Sequence, residues 1–317
     1  KDMLKGNRFD GIAGALQLTL EKIIIQWLAS VQKKTKRKIL CYGGGVAMNV
    51  KANGKLDQIK GFKKIYVPLS PSDETNAIGA CYYATEKHFI KEGLNLDKIS
   101  PLKSPYLGPM LNAKDLINKI KKEKIGKKIK IIDNFKIDQV VEFLVKGKVI
   151  GRAVGRSEFG QRALGNRSII ASPLVKDIEE KINFKIKYRD FWMPFCPTVI
   201  KEKTKQILIN KKNNPSEFMT SSFKVKEKII DKLFSGMHRG DNTMRPQILK
   251  RELNKAYYDL IDKFYKKTGL PLILNTSLNL HRKPMATDLK DIFDIIKNSN
   301  LDGIIINKKF LIIENEN

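Results

Sequence analysis

Apolar residues recur at helical spacing between Asp10 and Gln32, where Ile12, Leu16, Leu20, Ile23, Ile24, Trp27 and Leu28 predict one amphipathic helix packed on a sheet. The run from Ile39 to Tyr42 then reads as a short buried strand, Gly43, Gly44 and Gly45 as the turn that ends it, and Val46 to Leu56 as a helix rising from that turn. A second strand from Lys64 to Val67 and a helix from about Asn76 through Lys87 complete this part. Residues 89–109 carry Pro101, Pro105 and Pro109, and this connector divides the chain into two units, residues 1–95 and 96–317. In the second unit the pattern predicts helices from Ala113 to Lys124, Ile137 to Lys146, Lys201 to Ile209, Arg251 to Thr268 and Asp288 to Ser299. Strands are predicted from Ile129 to Ile132, Val149 to Val154, Thr198 to Ile200 and Gly303 to Ile306, with Phe218 to Phe223 extended and GLPLILNTSLNL running from a strand into a polar turn. Strands and helices alternate, so both units read as α/β.

Between Gly155 and Pro197 the periodic pattern gives way to chemistry. Arg156, Arg162, Arg167, Lys185, Lys187 and Arg189 surround Gly155, Gly160 and Gly165, and Phe159, Phe184, Tyr188, Phe191, Trp192 and Phe195 are interleaved among them. Arginine forks grip phosphate or carboxylate oxygens bidentately, and glycine lets backbone N–H groups approach the same anion. Such a stretch reads as a site for a polyanionic small molecule; the competing reading is a solvated basic loop. Two further polar loops belong with it: MHRGDNTMRPQIL, with His238, Asp241, Thr243, Arg245 and Gln247, and the turn holding Asn275, Thr276, Ser277 and Asn279.

The first unit offers a second seat. A strand, a glycine turn and a helix N-terminus point free N–H groups and a helix dipole at one place, as anion and nucleotide sites do. Asp73, in the loop PLSPSDETN, puts a carboxylate beside that seat, or caps the helix that follows it.

Composition changes this picture little. At 317 residues, with 42% hydrophobic and 30% charged, the chain is long enough for two globular units with substantial cores. No apolar run approaches a membrane span, and nothing at the start of the sequence resembles a signal peptide, so a cytoplasmic protein with no membrane partner is expected. Cys41, Cys81 and Cys196 are too few and scattered for a disulfide framework or a zinc site. The net charge of +28 favours anionic ligands and raises nucleic acid as a partner. Lysine is spread through the whole chain beside abundant Ile and Asn, however, which a codon bias would also produce, and this makes nucleic acid unlikely.

Taken together, GGGVAMNVKANGKL, GRSEFGQRALGNRSI, KIKYRDFWMPFCP, HRGDNTMRPQ and LPLILNTSLN resemble, in order and approximate spacing, the NodU/CmcH family of O-carbamoyltransferases. The resemblance implies an α/β protein of two parts: the C-terminal part of an actin-like ATPase-fold (ASKHA) carbamoyltransferase domain over residues 1–95, and a YrdC-like α/β domain over residues 96–317. It implies ATP and carbamoyl phosphate as substrates, carbamoyl-adenylate formed with release of phosphate and pyrophosphate, and transfer of the carbamoyl group to a hydroxyl of a small-molecule acceptor beside iron or another divalent metal. Carried over by motif, Arg162, Arg167, Lys187, Arg245 and Ser277 look like the catalytic groups. Gly43, Gly44, Gly45, Asn49, Asn275 and Arg156 look like nucleotide-binding residues, and Asp73 matches a metal ligand. Ser277 is expected to hydrogen-bond a phosphate, its alternative being a turn hydroxyl; His238 reads equally as a loop histidine, and Arg189 as a partner of Asp190 or Glu158.

The sequence departs from the family pattern in places. Its only histidines are His88, His238 and His281, so the family's HxxxH metal-ligand pair is absent. Met193 stands where many members carry arginine, Arg282 and Lys283 replace a Gly-Glu pair, and SPSDETN replaces a GDAG loop. The expectation is therefore a chain that lacks an N-terminal half, or takes it from a partner, and that performs at most the adenylation half-reaction alone. Apolar surface left open by that half predicts association, including a possible homodimer. Two other readings stand beside it: a carbamoyl-adenylate-making enzyme of tRNA modification, and a basic nucleic-acid-binding module without catalysis.

Overall fold

A computed structural model describes residues 6–123, 125–190, 193 and 195–315. In the first unit the apolar pattern forms α1 (Phe9–Thr35), β1 (Ile39–Cys41), α2 (Val50–Lys55), β2 (Lys64–Tyr66) and α3 (Thr75–Lys91). β1 and β2 pair in parallel, Leu40 opposite Ile65, and make a two-stranded sheet. A small core gathers Ile24, Leu28, Tyr42, Ala47, Leu56, Phe62 and Ile65 around it. So narrow a sheet covers little of a long helix: α1 buries Glu21, Ile24 and Leu28, while Phe9 is 86% and Leu16 71% exposed. By length and composition α1 is also apolar enough to cross a membrane, which corrects the expectation that no segment approaches a span. Glu21 and Lys22 interrupt the run and mask its length in the sequence.

The second unit is built on an eight-stranded mixed sheet. Its strands are β3 (Lys127–Asp133), β4 (Ile150–Ala153), β5 (Arg167–Ala171), β6 (Cys196–Ile200), β10 (Gln247–Leu249), β11 (Leu272–Ser277), β12 (Gly303–Ile306) and β13 (Lys309–Asn315), in the order β10-β6-β11-β5-β4-β12-β13-β3. Successive side chains on a strand face opposite sides, and neighbours here enter different cores: Ile170 and Ile305 lie on one side, Ile169 and Ile304 on the other. The first side is covered by α5 (Ile137–Val145) and α9 (Lys255–Thr268), through Val140, Leu144, Tyr257, Ile261 and Phe264. The second is covered by α4 (Ala113–Lys122), α6 (Ile178–Ile182) and α10 (Leu289–Asn298), through Leu116, Ile120, Ile182, Ile292 and Ile296. Burial on both faces explains the near-continuous apolar runs of LILN and GIII. A second, three-stranded sheet, β7 (Leu208–Ile209), β8 (Phe223–Val225) and β9 (Thr243–Met244), is antiparallel and lies beside the first.

Several elements differ from the pattern's predictions. The helix expected from Val46 to Leu56 breaks in two: a 3₁₀ turn over Gly45–Met48 ends at Asn49, whose extended backbone and side-chain oxygen cap α2 through Ala52 N–H at 3.0 Å. The segment from Lys201 to Ile209 is a 3₁₀ turn, then α7 (Thr204–Ile207), then β7, while α8 (Glu227–Ile230) follows β8. α9 starts at Lys255 rather than Arg251 because Asn254 caps it, accepting from Tyr257 N–H. β5 escapes the pattern because Arg167 and Ser168, both buried, interrupt its apolar signal, and β13 is a further strand beyond those the pattern predicts.

The two units are joined by hydrogen bonds from residues 212–222. Asn53 Nδ2 donates to Ala47 O at 2.6 Å and across the boundary to Thr220 O at 2.7 Å. Ile65 N–H donates to Asn214 Oδ1 at 3.1 Å, and Lys212 Nζ donates to Ile59 O at 2.9 Å. Gly54 permits this approach, since a Cβ there would lie 2.3 Å from Ser222 Oγ and 2.5 Å from its carbonyl oxygen. Gly54→Ala is expected to cost about 1–3 kcal/mol and to speed hydrogen exchange over residues 39–66 before residues 141–313. Unchanged exchange in residues 39–66 would contradict a boundary set by this close approach.

Candidate active site

The loop Gln161–Arg167 is held from both sides. Beneath it Glu158 is buried, and its Oε1 accepts the backbone N–H groups of Leu164, Asn166 and Arg167 at 2.8, 2.7 and 3.1 Å. The carbonyl of Leu164 accepts Tyr106 Oη and Gln247 Nε2, each at 2.9 Å, and that of Ala163 accepts Asn275 Nδ2 at 3.1 Å. Gly165 makes the turn possible: its φ is +113°, and a Cβ would stand 2.4 Å from the Tyr257 ring. A loop fixed at this many backbone groups presents one side chain, Arg162, in a defined place.

Arg162 enters a cavity of about 150 Å³ shared with Arg189, Arg245, Cys196, Asn275, Thr276 and Ser277. Burial, then the neighbouring Arg245, push its guanidinium down to about 10, against the opposing pull of Cys196. Arg189 is lowered as well, chiefly by burial. Its Nε donates to Asn183 Oδ1 at 2.6 Å and its guanidinium lies 4.6 Å above the Phe195 ring, while Nη2 is buried without a hydrogen-bond partner. Arg245 Nε donates to Cys196 Sγ at 2.8 Å. Among the described residues no carboxylate forms an ion pair with any of the three guanidinium groups. Three cations crowded in one partly buried cavity repel one another, and an anion carrying several charges would relieve all three.

Lys187 stands behind this cavity. Its ammonium donates to Ser277 O at 2.6 Å, Ser277 Oγ at 3.1 Å and Asn279 Oδ1 at 2.6 Å, and the Ser277 hydroxyl donates to Asn279 Oδ1 at 2.6 Å. All three of its N–H donors therefore serve the turn after β11. Burial, then Arg189, push Lys187 down to about 7.

The other residues singled out in the sequence fall elsewhere. Arg167 is fully buried, and its guanidinium donates to the carbonyls of Val154 at 2.8 Å and of Asn166 and Gly155 at 3.1 Å, so it ties β4 to the loop instead of lining the cavity. Arg156 is exposed and donates to Leu107 O at 2.6 Å. Arg189, grouped with the basic residues of the site in the sequence, binds Asn183 and neither Asp190 nor Glu158, the partners its alternative reading named. Phe191 and Trp192 lie outside the described residues.

In the first unit Gly43, Gly44 and Gly45 are exposed, and Gly44 N–H donates to Pro71 O at 2.7 Å. Asn49 is engaged with Gln17, Nδ2 to Oε1 at 2.8 Å, besides capping α2. The expected seat on a long helix is thus absent as drawn, because Asn49 ends the turn after one revolution. Arg162 links the two areas, since it also lines a crevice with Met48, Ser70 and Pro71. Asp73 is exposed and one residue before the N-cap of α3, Glu74. No group of three or more His, Cys, Asp or Glu side chains capable of holding a metal exists among the described residues, so Asp73 alone does not make a metal site.

Residues 141–313 match the family described as the carbamoyltransferase C-terminus, and residues 3–82 match the carbamoyltransferase N-terminus. An uncharacterized protein of Methanocaldococcus jannaschii is 34% identical over 92% of this chain and 54% of its own length. Nodulation protein NolO of Bradyrhizobium diazoefficiens is 32% identical over 93% of this chain and 53% of its own. The chain spans about half the length of the curated relatives it matches. HypF of T. kodakarensis superposes with a TM-score of 0.37 over 59% of this chain and 23% of that one, at 14% identity, too remote to carry an argument.

The depressed Lys187 sets a pH dependence of stability. The folded chain binds this proton less tightly than the unfolded chain, whose lysine titrates near its ordinary 10.5, so the penalty is full below about 7 and disappears as pH rises towards 10.5. Relative to Lys187→Met, the wild type is expected to gain stability across that window, on the order of a few kcal/mol. Denaturant titrations of both proteins between pH 6 and 10.5 check this; a constant difference would refute it.

Proposed function

The chain belongs to the carbamoyltransferase family, and from that premise we propose that its second unit makes carbamoyl-adenylate from ATP and carbamoyl phosphate. The observation that carries this reading is the arginine cavity. Arg162, Arg189 and Arg245 converge on a space large enough for phosphate groups, with a buried Arg189 N–H unpartnered and no carboxylate paired to any of the three among the described residues. Carbamoyl phosphate and a triphosphate together bring several negative charges, and fixed guanidinium groups neutralise them at no cost of reorganisation. For attack of a carbamate oxygen on the α-phosphorus, positioning and charge stabilisation supply most of the acceleration.

Within this scheme Arg162 and Arg245 bind and orient the α-phosphate of the transferring adenylyl group, and Arg189 adds a third contact. Ser277 turns its hydroxyl from Asn279 to a phosphate oxygen, held in place by Lys187. Asn275 fixes the loop through the Ala163 carbonyl. Arg167 acts as a positioning residue, and Arg156 anchors the connector through Leu107. In the whole enzyme the carbamoyl group passes to a hydroxyl of a small-molecule acceptor, and the glycine turn at Gly43, Gly44 and Gly45 belongs to that later step. Asp73 has no companion ligands among the described residues and takes no metal-holding role in this scheme.

Pyrophosphate release from ATP plus carbamoyl phosphate tests the reading. Release is expected to require carbamoyl phosphate and to fall about 100- to 1000-fold in Arg162→Ala, the range lost when one preorganised charge-stabilising donor is removed. Release that persists without carbamoyl phosphate, or that Arg162→Ala leaves unchanged, would overturn it.

A further inference from the structure

If both phosphate and pyrophosphate leave during formation of carbamoyl-adenylate, one water is consumed, and its proton must go somewhere. Carbamoyl phosphate becomes carbamate when a water oxygen bonds the carbamoyl carbon and the C–O bond to phosphate breaks, or when water bonds phosphorus and carbamate leaves. None of the arginines is a base, and Lys187, though pushed down to about 7, directs its nitrogen to Ser277 and Asn279 and lines neither cavity. Resting on the function proposed above, this leaves a group unassigned.

A second cavity, of about 180 Å³, adjoins the arginine cavity and shares Cys196 and Arg245 with it. His238 and Asp241 stand in its wall. His238 Nδ1 lies 2.9 Å from Asp241 Oδ1, and the same carboxylate accepts Thr243 Oγ1 at 2.6 Å and Thr243 N–H at 3.1 Å, with Lys51 Nζ of α2 at 3.2 Å from its other oxygen. Burial works against ionisation of Asp241, but these donors outweigh it and hold the carboxyl well below the usual range. An ionised, saturated carboxylate accepts from Nδ1–H, which leaves the Nε2 lone pair available, and Nε2 has no partner among the described residues. The loop does not need the ring to close, since His238 N–H already donates to Thr243 O at 2.7 Å. A purely structural histidine would be redundant here.

We propose that His238, oriented by Asp241, is the general base that takes a proton from the water attacking carbamoyl phosphate. The water oxygen bonds the carbamoyl carbon, the electron pair of the cleaved C–O bond leaves with phosphate, one proton passes to Nε2 and then to the departing phosphate, and the carbamic acid so formed releases its remaining acidic proton to solvent. Carbamate remains beside the arginines for attack on ATP. The charged and titratable groups facing the imidazole are Asp241 from its own loop, Lys51 from α2, Lys224 from β8, which donates to Asp241 O, and Arg245 and Cys196 from the shared wall.

The test compares wild type with His238→Gln, using carbamoyl phosphate in one arm and ammonium carbamate in the other, with ATP in both and pyrophosphate measured. With carbamoyl phosphate the variant is expected to lose about 100- to 10,000-fold, the range for a general base, and the acid limb of the pH–rate profile is expected to vanish. With carbamate the water step is bypassed, and variant and wild type are expected to agree within about threefold, well inside the general-base range. Loss in both arms, or in neither, overturns the assignment while leaving the proposed function standing. A wild type that releases no pyrophosphate in either arm overturns both.

Discussion

The Glu158 carboxylate determines where everything else in the site can be. One buried oxygen gathers three backbone N–H groups of the loop that follows, and without it those groups would be buried and unpaired. Around this point the fold supplies the rest of the loop's hydrogen bonds from distant parts of the chain. Tyr106 comes from the connector, Gln247 from β10, and Asn275 from β11, and the last two also meet at the Thr198 hydroxyl of β6. The network is not complete, since Glu158 Oε2 and Asn275 Oδ1 are buried without partners, but every backbone group named above is satisfied by it. Its consequence is a loop with little freedom, which fixes the backbone from which Arg162 enters the cavity.

That rigidity makes the arginine crowding tolerable. Three guanidinium groups in a small space oppose folding: burial first, and the neighbouring Arg245 after it, lowers both Arg162 and Arg189, with Cys196 opposing. A flexible site would splay its side chains into solvent and lose the field it creates. Here Asn183 and the Phe195 ring hold Arg189, Cys196 holds Arg245, and the loop holds Arg162. The three guanidinium groups are thus held in place by the fold itself, and under the proposed function that is the condition for electrostatic catalysis to exceed what water provides.

Much of this was legible in the sequence, for reasons that differ by residue. Arg162, Arg245, Asn275 and Ser277 stand out because glycine turns and arginines serve little purpose in a solvated loop, and the sheet brings them to one cavity. Arg167 groups with them by composition, yet its place at the start of a buried strand gives it backbone carbonyls as partners. Spacing along the chain says which residues are near one another and not which way each points. The α/β alternation was readable because both faces of the eight-stranded sheet are covered, so β11 and β12 carry the near-continuous apolar runs LILN and GIII. Asn49 was harder: a helix-compatible stretch is broken by a side chain that prefers to cap.

The boundary between the units runs through both the crevice beside Arg162 and the cavity of His238. Lys51 belongs to the first unit by sequence and to the second by its ion pair with Asp241, and Arg162 belongs to the second while lining a crevice against Met48 and Ser70 of the first. Each unit therefore completes a wall of the other's cavity. Residues 212–222 make the joint with backbone-directed hydrogen bonds from Asn53, Ile65 and Lys212, which fix orientation as well as distance. A shift of the first unit would move Lys51 away from the carboxylate that orients His238, and would open the crevice beside Arg162 in the same motion. Separate contacts at the two cavities thus answer to one docking geometry, so the joint acts on the site through position and charge together.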